Sequence, residues 1–161
     1  MNVYKPPTQL RHLDPRRFSV FLAGSIEMGA APDWQKDLEQ KLKDLDLDLY
    51  NPRRDDWNPS WTQSADNPIF RKQVEWELFG LEQASLIILY LAPGTISPIS
   101  LLEVGLYLTT TPNKLIVCCP EGFHRKGNVD IVCERYATPQ ATDLAELENI
   151  IRTRHHKWLK V

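Results

Sequence analysis

Two glutamates and a serine carry the most pointed chemistry in this chain. Glu103 stands in the stretch Ser97-Pro98-Ile99-Ser100-Leu101-Leu102-Glu103-Val104-Gly105. At helical spacing its neighbours are Ile99, Ser100, Leu106 and Tyr107, so an acid falls on a largely apolar face. An ionised carboxylate in such a place can attack a sugar carbon and form a covalent glycosyl intermediate. Glu77 is a second acid inside an apolar stripe, where a carboxylate is costly unless paired or used. It can carry the proton for a leaving or incoming group. Ser25, Ser97 and the backbone amides near Gly24 and Gly29 can orient a ribose or a phosphate. The chain has no Walker loop, no dinucleotide fingerprint and no evident Ser–His pair or metal-ligand spacing.

The elements that must position these groups follow from periodicity. Phe18 to Ala23 reads as a strand, followed by a loop of small residues from Gly24 to Ala31. Asp33 caps a helix whose buried face is Trp34, Leu38, Leu42 and Leu45. Such a loop, placed between a strand and a helix, offers amides to an anion. Leu47 to Tyr50 is a short strand, and Asn51 to Trp57 follows it as a polar loop running on to Asp66 with Trp57 and Trp61 in it. Asn67 and Pro68 open a helix to about Gln83, with Phe70, Val74, Leu78 and Leu81 as its stripe. Ser85 to Leu91 is a near-continuous apolar run, as suits a strand covered on both faces. Ala92-Pro93-Gly94 ends it, and Ser97-Pro98 starts the helix of Glu103. Lys114 to Cys119 is a further strand and Val129 to Val132 another, before a last helix opening at Thr138-Pro139.

This order predicts a single doubly wound, mostly parallel five-stranded sheet with helices on both faces, residues 18–161, preceded by an extended arm, residues 1–17. The loops at Gly24, Asn51, Pro93 and Pro120 then emerge at one sheet edge, where open α/β sheets bind ligands. A length of 161 residues fits one domain. A net charge of −2 and the lack of a basic stripe argue against a nucleic-acid partner, and no apolar run approaches membrane-spanning length. Three cysteines, two of them adjacent, make no disulfide framework, so a reducing, cytoplasmic setting is expected. His155 and His156 suit the negative end of the last helix rather than a metal.

At the residues just named the sequence resembles the nucleoside 2-deoxyribosyltransferase superfamily, including its 2′-deoxynucleoside 5′-phosphate N-hydrolase branch. Three segments carry the resemblance. They are Phe21-Leu22-Ala23-Gly24-Ser25-Ile26, Glu77-Leu78 with Gln83-Ala84-Ser85, and Gly94-Thr95-Ile96-Ser97 with Glu103-Val104-Gly105. The resemblance implies a Rossmann-like or flavodoxin-like fold and cleavage or transfer at the N-glycosidic bond of a nucleoside or nucleoside 5′-monophosphate. It implies Glu103 as nucleophile, and Glu77 as proton carrier where the family usually has aspartate. It implies Ser97 on a 5′-phosphate and Gly24, Ser25 and Ile26 along the same sugar or phosphate site. Asp56 and Trp57 are implied to face the base. No cofactor or metal is required, and a homo-oligomer of two or more copies is implied, with neighbouring subunits completing the site. Two other readings share the layout: an NAD- or ADP-ribose-type glycohydrolase, and a nucleotide-binding or sensing protein without turnover.

Overall fold

The structure, a computed structural model, describes residues 1–58, 60–111 and 113–160. Its frame is one all-parallel sheet of six strands. In chain order these are β1 (Asn2–Tyr4), β2 (Ser19–Gly24), β3 (Asp48–Tyr50), β4 (Leu86–Tyr90), β5 (Leu115–Cys118) and β6 (Gln140–Ala141). Across the sheet they lie β1-β3-β2-β4-β5-β6. Five helices connect them: α1 (Trp34–Leu42), α2 (Pro68–Gln83), α3 (Pro98–Thr110), α4 (Lys126–Arg135) and α5 (Leu144–Trp158).

The central strands are buried on both faces, which their unbroken apolar sequence demands. Side chains alternate between two cores. Val20, Leu22, Ile88 and Ile116 pack with Trp34, Leu38 and Leu42 of α1 and Leu147 and Ile151 of α5. Phe21, Ala23, Ile87, Leu89 and Val117 pack with Trp76 and Leu81 of α2, Val104 and Tyr107 of α3, and Val129 and Cys133 of α4. Strand order therefore reverses between β2 and β4, whose carboxyl ends lie side by side with Gly24 opposite Tyr90. The helices after these strands leave to opposite faces, which makes this the switch point of the sheet, where open α/β sheets bind ligands.

Three expectations are corrected. The sheet has six strands rather than five, because Asn2–Tyr4 of the expected arm pair with β3 and Gln140–Ala141 pair with β5, while one expected strand is absent. Val129 to Val132 is not a strand. It lies in α4, where Val129 and Cys133 are buried one turn apart and Lys126 pairs with Asp130 at 2.8 Å. The last helix opens at Leu144, capped by the Asp143 carboxylate, and Gln140–Ala141 ahead of it form β6. Pro59 in the long loop lies outside the described residues.

Candidate active site

The loop after β2 is built by its glycine. Gly24 has φ +136°, and a Cβ there would collide with the Tyr90 carbonyl across the β2–β4 pair. That close pass buries Ser25 completely. The Ser25 hydroxyl accepts from the Ala92 amide at 2.8 Å and lies 2.6 Å from Ser97 Oγ and 2.9 Å from Thr95 Oγ1. Thr95 in turn donates to the Ala92 carbonyl at 2.7 Å. Three hydroxyls thus tie the two loops together. The amides expected to meet an anion are largely committed within the turn: Ser25 to Tyr90, Gly29 and Ala31 to Ile26, Ala30 to Glu27.

Ser97 occupies the N-cap of α3 with a left-handed φ of +44°. Its side chain does not cap the helix. It donates instead to Glu27 Oε1 at 3.1 Å, and the amides of Ser97 and Ile96 donate to the same oxygen at 2.7 and 3.2 Å. Glu27 also has a left-handed φ, +47°.

Glu103 and Glu77 arrive from different helices on the same face of the sheet. Burial, joined by the charge of Glu77, pushes the Glu103 carboxyl up to about 8. Its place in α3 is beyond the first turn, out of reach of the helix dipole that would favour the ionised form. Burial also pushes Glu77 up to about 7, opposed by a 2.7 Å hydrogen bond from Gln73 Nε2. The same Gln73 nitrogen donates to the Pro52 carbonyl at 3.2 Å, joining Glu77 to the loop after β3.

The buried face of α2 differs from the expected stripe. Gln73, Trp76, Gly80 and Leu81 are buried, whereas Leu78 is exposed. Two contacts set this rotation. Trp76 Nε1 donates to the Thr8 carbonyl at 2.7 Å, and Gly80 lets the helix lie against the Phe21 ring. Leu10 packs in the same core. Residues ahead of β2 therefore hold the helix of Glu77.

The polar loop after β3 is braced at both ends. Arg53 donates to the carbonyls of Gly29, Ala31 and Pro32, each within 3.1 Å. Arg54 grips Asp56 through two 2.7 Å hydrogen bonds, which hold that exposed carboxyl below its usual range. The Arg54 guanidinium lies 5.1 Å from the centroid of the Trp61 ring. Trp57 meets Trp61 edge-on at 5.3 Å, and its buried Nε1 has no partner among the described residues.

The arrangement gathers Gly24, Ser25, Ile26 and Ser97 at the β2–β4 edge and couples Glu77 with Glu103. Asp56 is turned to Arg54. The sequence reading missed Glu27, Gln73 and Thr95. An acid inside a glycine turn was the available signal for Glu27. Gln73, one turn before Glu77, was the signal for its partner. Among the described residues no group of three His, Cys, Asp or Glu side chains is placed to hold a metal, and no helix is long and apolar enough to cross a membrane.

A family model described as nucleoside 2-deoxyribosyltransferase like matches residues 17–123, and the chain belongs to that family. The matched stretch runs from the start of β2 past β5 and contains both glutamates, Ser25 and Ser97. A comparison with curated proteins gave no match.

Proposed function

We propose that this protein cleaves or transfers the glycosyl group of a nucleoside or nucleoside 5′-monophosphate at its N-glycosidic bond. The observation that carries this reading is the desolvated pair of carboxyls from α2 and α3, close enough that the charge of Glu77 raises Glu103. One proton between two half-buried acids supplies both an acid and a nucleophile near neutral pH. The reactive form is the minor one in which the single proton sits on Glu77, so that Glu103 is ionised and attacks C1′ of the sugar. The C1′–N bond breaks and its electron pair goes to the base, which takes the proton held by Glu77. A second base or a water then attacks C1′ and releases Glu103. Asp56 and Trp57 stand in the loop that Gln73 ties to Glu77, and the buried indole N–H of Trp57 is a donor for the base. This chemistry calls for no cofactor.

A homo-oligomer belongs to the same reading. The helix of Glu103 turns Ile99, Leu102 and Leu106 to solvent, with the first two about 60% exposed. A second copy laid on this stripe would bury it beside the site. Three buried free cysteines fit a reducing, cytoplasmic setting.

The test is chromatographic. Purified protein is incubated with deoxynucleosides and their 5′-monophosphates, with and without a second base, beside Glu103→Ala. Base release or exchange that vanishes in the variant supports the reading. Folded protein that turns over no member of the panel overturns it.

A further inference from the structure

Glu27 occupies the amides at the start of α3. Its Oε1 takes three hydrogen bonds at the start of α3: from the Ile96 amide, the Ser97 amide and the Ser97 hydroxyl. Two consecutive amides and a hydroxyl at a helix N-terminus form a cradle for an anionic oxygen. Here the occupant is a carboxylate of the chain itself.

The proton inventory makes the occupancy consequential. Each hydroxyl in the cluster has one hydrogen. That of Thr95 goes to the Ala92 carbonyl and that of Ser97 to Glu27. Ser25 has its own left for Ser97 or Thr95, while its oxygen accepts from the Ala92 amide. No hydroxyl of the cluster remains to donate to a ligand. The left-handed backbone at both Glu27 and Ser97 shows that the chain adopts costly conformations where this contact forms.

We infer that Glu27 is a specificity-determining residue that fills the anion cradle of α3 and selects a substrate with a neutral 5′ end, a nucleoside, over its 5′-monophosphate. This rests on the glycosyl-transfer reading above. A 5′-phosphate approaching Ser97 would meet the Glu27 charge and find both amides taken. A 5′-hydroxyl meets no repulsion and can donate to the carboxylate.

The experiment compares kcat/KM for a deoxynucleoside and its 5′-monophosphate in the wild type, Glu27→Gly and Glu27→Gln. Glycine empties the cradle and accepts a positive φ, and glutamine keeps the shape without the charge. The wild type should favour the nucleoside by ~100-fold, and both variants should cut that ratio at least ~10-fold, chiefly through KM for the monophosphate. A wild type that prefers the monophosphate, or a ratio unmoved in the folded variants, overturns the inference and leaves the glycosyl reading standing. Absence of turnover on both substrates defeats the glycosyl reading instead. Inorganic phosphate then tests the cradle without turnover. Relative to chloride at equal ionic strength, it should raise the melting temperature of Glu27→Gly and not that of the wild type. Equal response in the two proteins overturns the role of Glu27.

Discussion

Glu103 and Glu77 set the acid–base behaviour of the site. Burial raises both, to about 8 and about 7, so the useful state with one proton on the pair occupies a narrow interval. The pH profile of kcat/KM should be a bell with its maximum between about 7 and 8. Replacing either acid by glutamine should remove one limb from any residual rate. The same burial links pH to stability. The folded protein holds the Glu103 proton up to about 8, while the unfolded chain releases it near the ordinary 4.5. Stability from this group is therefore complete below the ordinary value and lost as pH rises through about 8. The full shift corresponds to at most ~5 kcal/mol, and relaxation of the site would leave ~2 kcal/mol. Glu103→Gln should melt ~4–8 °C above the wild type near pH 9 and level with it near pH 4. A melting difference independent of pH would show that the carboxyl is not desolvated. At this scale the two acids were legible, because an acid on an apolar face is conspicuous. Their protonation was not, because it depends on the water excluded by residues distant in sequence. Glu27 escaped notice for a similar reason: its partners lie at Ile96 and Ser97, some seventy residues away.

The elements explain how the two acids reach each other. β2 and β4 approach closely at Gly24, and α2 approaches β2 closely at Gly80, where a Cβ would stand 2.7 Å from the Phe21 ring. Gly80→Ala should lower the melting temperature by ~3–10 °C, from ~1–3 kcal/mol of overpacking. It should also reduce activity, since Glu77 lies one turn away on the same helix. Calorimetry and the base-release assay check the two together, and an unchanged melting point would contradict the packing described. The buried strands were readable as apolar runs and α1 as a capped periodic helix. Other elements misled for physical reasons. Val129-Asp130-Ile131-Val132 has strand-like residues, yet Val129 and Cys133 meet the core at helical spacing. β1 and β6 have three and two residues, too short to show a period. The stripe on α2 was placed on Leu78, because no local pattern shows that Trp76 will bond to Thr8.

At the scale of the whole molecule, the segment ahead of the family match grips the loop after β3 and the helix of Glu77. Lys5 pairs with Asp55 at 2.7 Å, Thr8 accepts from Trp76, and the Arg11 guanidinium lies over Phe79. Arg17 is bound to Asp46 and Asp48. The exposed side of α3 carries Ile99, Leu102 and Leu106, next to Glu103. Leu102→Lys should shift the protein toward monomer in analytical ultracentrifugation, and a monomeric wild type would defeat the proposed association. That stripe and Glu103 share one helix, so under the proposed association enzyme concentration becomes a kinetic variable. A plot of velocity against protein should curve upward at low concentration and straighten only once the helices are paired. Rates measured at assay dilution would then understate what crowded molecules achieve.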